Sequence, residues 1–352
     1  NSFGQEYKDG VLQGTIRIKI KPTLASAVKI SKSATTGTIT TGIQELDRLN
    51  RTYAVTGMKR VFRYSPQFEE KHKKYGLNLW YEVTISAKTS SKEVVKGYTQ
   101  LQEIETAEPV LEKRLIDGST KPIYLSKTDK GTNSEYFNDP YLAKQWHYNN
   151  TGQSGGTPGS DINAYKAWNI TKGSKNVIVS IHDMGVDVNH EDLKDAMWIN
   201  EAEFNGVAGV DDDDNGYKDD IYGFNFSSNM GTIDAGYHAT HVAGTIGAVN
   251  NNGIGVAGIA GGSGSADGVR IMSCEILGGT GSGNTPDSYV YAADMGAVIS
   301  QNSWGYNYPG TYEQSVLDAI DYFIAEAGNY PGSPMKGGIV IFAAGNSAIE
   351  EA

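Results

Sequence analysis

Cysteine is all but missing: Cys274 stands alone among 352 residues, which excludes an internal disulfide and with it a disulfide-stapled scaffold. That absence leaves secretion open. No stretch of eighteen apolar residues occurs, so the sequence offers no membrane-spanning helix. The first residues also lack the basic-then-apolar order of a signal peptide, which predicts a processed or trimmed chain whose targeting information has been removed. What is present, 39% apolar and 20% charged residues, is the composition of a soluble globular protein, and the length predicts two domains.

Charge divides the chain. Residues 1–130 carry 22 Lys and Arg against 14 Asp and Glu, a net of +8, whereas residues 131–352 carry 8 against 27, a net of −19. Scattered rather than clustered lysines argue against nucleic acid as the partner of the basic part. Two attached units of opposite sign predict docking on each other.

In the basic part, Thr15–Lys21, "TIRIKIK", alternates apolar and basic residues as a strand with one buried face requires. Thr41, three residues before Gln44, predicts a capping box ahead of a helix bearing Leu46 and Leu49. Strand-like "MKRVFRY" and "LNLWYEVTISA", a second helix with Val94, Val95, Tyr98 and Leu101 on one side, and strand-like "AEPVLEKR" complete the order βαββαβ. That order predicts a small antiparallel sheet covered by two helices. His72, in "EEKHKKYG", is expected to be solvated. Residues 115–135, rich in Lys, Ser, Thr, Gly and Asp, have the composition of an exposed, cleavable linker.

In the acidic part, "NVIVSIHDMGVD" predicts a buried strand ending at Asp183, a carboxylate at the strand end where α/β folds place their sites. "GYHATHVAGTIGAV" predicts a small-residue helix opening with His238, and His241 follows one turn later. A metal pair would need i, i+4 spacing and an intervening Glu, so one working and one structural histidine is the favoured reading. An Asp at a strand end and a His at a helix start can meet as orienter and base. Gly337–Ala352, "GGIVIFAAGNSAIEEA", contains an uncharged β-branched run, Ile339–Phe342, expected to be a strand buried on both faces.

These segments carry a resemblance. "SIHDMGVDVNHEDL", "HATHVAGTIGA" and "IVIFAAGN", in order, with "DPYLAKQW" ahead and "NSWG" between, resemble the subtilisin-like serine proteases over nearly all of residues 139–346. The N-terminal part is similar to that family's pro-region, a folding chaperone and inhibitor. The resemblance implies a parallel-sheet α/β catalytic domain, residues 139–352, preceded by an α+β ferredoxin-like pro-region, residues 1–115, and a linker, residues 116–138. By position, Asp183 would orient the imidazole, His238 would be the general base and Asn346 would donate to the oxyanion. Gly281, Ser282 and Gly283 with Ser303, Trp304 and Gly305 match the two segments that hold an extended peptide between them. Ala344 and Gly345 would line the primary specificity pocket.

Calcium is the implied cofactor. Asp192, nine residues beyond Asp183, and "VNNNGIGV" resemble the family's calcium loop, with Asn252 as side-chain ligand, the main chain of Val249, Ile254 and Val256, and Asp139 as a further ligand. Separately, "DDDDNGYKDD" has oxygens at alternate positions, Asp211, Asp213 and Asn215, then Gly216 for the turn, and Asp219 beyond. Tyr222 at the twelfth position excludes an EF-hand, and hard oxygen ligands argue against zinc.

Two positions depart from the family: Met184 stands where it usually has Ser or Thr, and Ala239 where it has Gly. Its Gly-Thr-Ser-Met-Ala segment, which bears the nucleophile, does not occur in this sequence. "GQSGG" at Gly152–Gly156 lies in a polar loop and is a chance match to a nucleophile elbow. The expectation is a secreted, periplasmic or cell-surface endopeptidase zymogen or nicked form, completed by a cognate C-terminal fragment bearing the Ser. The alternative is a pseudoprotease or peptide-binding module. Protein or peptide substrates, a pro-region docked on the catalytic domain, and neither nucleic acid nor membrane complete the expected partners.

Overall fold

The computed structural model describes residues 5–86, 89–116, 136–278 and 281–346. The linker expected at 116–138 therefore lies mostly outside the described residues, and chain already packed into the second unit is present by Phe137, which is buried.

The N-terminal unit runs β1 (Tyr7–Lys8), β2 (Val11–Ile20), β3 (Ser31–Lys32), β4 (Ile39–Thr40), α1 (Gln44–Thr52), β5 (Gly57–Arg60), α2 (Glu69–Lys74), β6 (Trp80–Thr84), α3 (Ser91–Thr99), β7 (Ile104–Leu111) and β8 (Lys113–Leu115). Strands β7, β2, β6 and β5 pair antiparallel in that spatial order, with β1 folded back on β2. Removing the short additions leaves the expected βαββαβ. Ile16, Ile18 and Ile20 of β2 pack against Leu46 and Leu49 of α1 and Val94 and Tyr98 of α3, so alternation and helical spacing deliver their apolar faces to one core. The helix start differs from a capping box: Ile43 is the N-cap residue, and the carboxylate reaching back to the Thr41 N–H and hydroxyl is that of Asp47. "AEPVLEKR" is not one strand but two, β7 staying in this sheet and β8 leaving it.

The acidic unit contains α4 (Ala164–Ala167), β9 (Ile178–Asp183), α5 (Glu201–Phe204), β10 (Gly223–Asn225), α6 (Tyr237–Gly247), β11 (Arg270–Glu275), β12 (Leu277–Gly278), β13 (Gly281–Ser282), α7 (Thr285–Asp294), β14 (Ile299–Asn302), β15 (Trp304–Tyr306), α8 (Gln314–Glu326) and β16 (Ile339–Phe342). Its main sheet is parallel, in the order β10-β11-β9-β14-β16. On one face Val179, Ile181 and Ile271 meet Ala239 and Ala243 of α6; on the other, Met272 and Cys274 meet Tyr289 of α7 and its neighbours. Small residues on α6 let it lie close to the sheet. Strand β16 corrects one expectation: it pairs only with β14 among the described residues, and Ile339, Ile341 and Phe342 are about half exposed, at 48%, 51% and 45%.

The two units dock as their charges predict. The face of β2 opposite its isoleucines meets α8: Arg17 contacts Glu313 at 3.1 Å and Lys19 contacts Asp318 at 2.9 Å. Val61, Phe62, Leu77 and Trp80 of the first unit complete a core with Phe224, Tyr291 and Tyr322 of the second. His72 is a second correction. It is buried, not solvated, because its Nε2 lies 2.7 Å from Asp294 Oδ2 on α7.

Candidate active site

Asp183 is the last residue of β9, and its side chain is fully buried. A parallel strand carries its C-terminal side chain to the sheet end, and α6 begins at the same end with His238 as its second residue. His238 Nδ1 lies 2.9 and 2.8 Å from the two Asp183 carboxylate oxygens. Facing a carboxylate, Nδ1 carries the proton, which leaves Nε2 as the basic nitrogen. Asp183 Oδ1 also accepts the Met184 N–H at 2.7 Å, so the backbone supplies a donor where Met184 has no hydroxyl. The Ala239 methyl is fully buried beside Val179 and Ile181. His241 is exposed on α6.

A strand of the protein itself occupies the neighbouring groove. β8 pairs antiparallel with β15, Leu115 opposite Trp304, Arg114 opposite Gly305 and Lys113 opposite Tyr306, and the Ile116 N–H donates to the Ser303 carbonyl at 2.7 Å. The Ser303–Gly305 segment thus holds an extended peptide. Gly281 and Ser282 form β13, paired with β12, and β12 runs beside β8 as well. Gly283 is closely packed: a Cβ there would stand 2.4 Å from the Phe226 backbone. At the end of this tail Asn346 Nδ2 lies 3.5 Å from the Ile116 carbonyl oxygen, a long hydrogen bond to the atom an oxyanion donor would address. Ala344 and Gly345 line a cavity of about 280 Å³ together with Leu115 and Ile116.

Two acidic groupings lie elsewhere in the second unit, one at the loop after α6 and one before β10. Asp139 and Asp192 are buried beneath the loop that spans Val249, Asn252, Ile254 and Val256. Asp192 accepts from Asn252 Nδ2 at 2.8 Å and the Val256 N–H at 2.9 Å, and burial pushes its carboxyl up to about 6, with Asp139 adding to the rise. Asp139 Oδ2 accepts the Asn251 N–H, whereas its Oδ1 is buried without a partner, and an orphaned anionic oxygen beside a second carboxylate suits a bound cation. In the second grouping, ligand oxygens of Glu203, Asp213 and Asp220 lie within 4.8 Å of one another. Asp211 instead accepts the Asn215 and Gly216 N–H groups, Asp219 accepts that of Gly209, and the Asn215 side chain donates to Asp213 and Asp220. Sequence spacing missed Glu203, which comes from α5 outside the acidic run, and passed over Asp220 for its neighbour.

Comparison with known proteins agrees with this geometry. Residues 174–352 match the model of the Subtilase family, and residues 17–152 that of the N-terminal of Subtilase family. Subtilisin-like protease 1 of Plasmodium vivax is 40% identical over 153 residues, covering 43% of this chain and 21% of that protein. The thermophilic serine proteinase of Bacillus sp. (strain AK1) is 32% identical over 219 residues, covering 60% of this chain and 44% of that one. Fervidolysin from Fervidobacterium pennivorans, a keratinolytic enzyme related to subtilisin, aligns with a TM-score of 0.57 at 21% identity over 97% of this chain and 41% of its own, a likeness of fold. The chain spans about a fifth of the Plasmodium protein and under half of the other two. Because the first of these family models extends over half of the chain, and the second over its N-terminal unit, the chain belongs to the subtilase family of serine proteases.

Proposed function

We propose that this chain supplies the base, its orienting carboxylate and an oxyanion donor of a secreted, calcium-stabilised serine endopeptidase zymogen, with the nucleophilic serine on polypeptide outside residues 1–352. The observation that carries the reading is the placement of β8: a peptide lies in the groove with its Ile116 carbonyl at Asn346 and the Asp183–His238 pair at the same sheet end. The half-exposed apolar side chains of β16 support completion of the sheet by further polypeptide.

In this reading the serine hydroxyl attacks the carbonyl carbon of Ile116 while His238 Nε2 takes its proton, and Asp183 holds the imidazolium in place. Asn346 Nδ2 donates to the oxygen as it becomes negative, an interaction worth roughly 3 to 4 kcal/mol of barrier. The proton on His238 passes to the leaving amine, and water then releases the acyl group. Autoprocessing falls after Ile116.

Calcium, when bound, would supply fixed positive charge that locks loops rather than chemistry at the scissile bond. Asp139, Asp192, Asn252 and the carbonyls of Val249, Ile254 and Val256 would hold one ion, and Glu203, Asp213 and Asp220 another. A fluorophosphonate probe on the full-length gene product tests the reading. Labelling of a single serine, with loss of labelling in His238→Ala, is expected; a folded, calcium-loaded protein that never labels would favour a non-catalytic peptide-binding module.

A further inference from the structure

The position three residues before Ile116 has an environment unlike that of the rest of the tail. Arg114 points to solvent and Leu115 is half-buried, but Lys113 is completely buried. Its ammonium forms an ion pair with Glu313, whose side chain is likewise completely buried, and lies 5.3 Å from the Tyr306 ring centre and 6.0 Å from that of Trp304. The Tyr306 hydroxyl donates to Glu313 Oε2 at 3.3 Å. The site is therefore an acidic-aromatic box, with Tyr306 and Trp304 from β15 and Glu313 at the start of α8.

Among the described residues, both cations on Glu313 come from the N-terminal unit. Arg17 Nη1 and the Leu111 N–H approach Oε1 at 3.1 and 3.2 Å, and Lys113 approaches Oε2. Once that unit leaves, the box keeps its carboxylate and its rings and loses both cations. A carboxylate left with the Tyr306 hydroxyl and no countercharge is poorly compensated, so whatever next lies along β15 gains by bringing a cation to that position.

We propose that Glu313 is a specificity-determining residue of the protease, and that its substrates carry lysine at the fourth position before the cleaved bond. The assignment rests on the endopeptidase reading and on β8 standing where substrate stands. The rings of Trp304 and Tyr306 add cation–π attraction to the ion pair, so a neutral side chain there leaves the carboxylate without a countercharge. A glutamate there meets a like charge.

The test uses the full-length, processed enzyme and three fluorogenic peptides, Lys-Arg-Leu-Ile, norleucine-Arg-Leu-Ile and Glu-Arg-Leu-Ile, each followed by the reporter. The lysine peptide is expected to exceed the norleucine peptide by about 30-fold in kcat/KM, and the glutamate peptide by more than about 100-fold. Glu313→Gln should bring the three within a few-fold of one another. Equal turnover of the three by the unaltered enzyme overturns the assignment, and that comparison does not depend on the variant folding. Absence of fluorophosphonate labelling in the same preparation would instead remove the endopeptidase reading, and this assignment with it.

Discussion

The N-terminal unit closes its core within itself, whereas the catalytic unit shares its core. Ile16, Leu46, Val83 and Tyr98 belong to a cluster drawn wholly from residues 16–104. Around α7 and α8, by contrast, the catalytic core takes in Val61, Phe62, Leu77 and Trp80 from the other unit. One unit can therefore serve as a finished surface on which the other is organised. The residues proposed for the chemistry lie only in the second: Asp183 and His238 bond to each other, and among the described residues neither uses a side chain of the first.

The largest expected effect sharpens that division of labour. In the full-length enzyme Asp183→Asn should reduce kcat by about 10⁴-fold, because the amide no longer holds the proton on Nδ1. Thermal unfolding of both units should be unchanged within a few degrees, read by calorimetry.

Trp80→Ala attacks the shared core. The indole is fully buried and its Nε1–H donates to Asp318 Oδ2 at 2.9 Å, so truncation should cost about 3–5 kcal/mol. The loss should appear as weaker inhibition by the released N-terminal unit. Leu46→Ala, of comparable burial but internal to that unit, should lower the unit's own melting temperature.

Chelation comes next. Under the proposed calcium reading, chelation should destabilise the second unit by about 2.7 kcal/mol when the ion had been present at 100 times its Kd. Asp139→Asn should erase most of the difference seen by thermal shift, and the N-terminal unit should not respond.

The smallest effect concerns pH. Burial, followed by the proximity of Glu313, pushes the Glu108 carboxyl up to about 7 when the units are docked. A carboxyl raised on docking takes up a proton, so its contribution is full below the ordinary glutamate range near 4.5 and is lost as pH rises through about 7. Glu313 stays ionised through that window: burial opposes its charge, but Lys113 and Arg17 hold its pKa below the usual range. Inhibition by the released unit should weaken between pH 5 and 7, by at most roughly tenfold per unit, and Glu108→Gln should flatten the profile.

The same contrast explains what could be read from sequence. Alternation in "TIRIKIK" and the spacing of Leu46, Leu49, Val94 and Tyr98 are local, and they gave the first unit's core. Asp183 and His238 sit at the end of a strand and the start of a helix, so their meeting followed from parallel-sheet geometry. His72 read as a surface residue because its partner, Asp294, lies more than two hundred residues away. Glu203 was hidden for the same reason, since a converging oxygen set has no fixed spacing. The apolar run of β16 marked a strand, and its pairing with β14 alone among the described residues could not be read from it, because such a run describes side chains and not the number of neighbouring strands.

The break at Glu112, where β7 remains in its own sheet and β8 departs into the groove, has a kinetic consequence. Cutting after Ile116 would remove no strand from the N-terminal sheet, so the folded unit would retain its groove-filling tail. While the chain is continuous, that tail competes at an effective concentration of about millimolar; afterwards it competes only at the concentration of the protein itself. Dilution would then act as an activation step, and the same cut would have different consequences in a crowded compartment and in open medium.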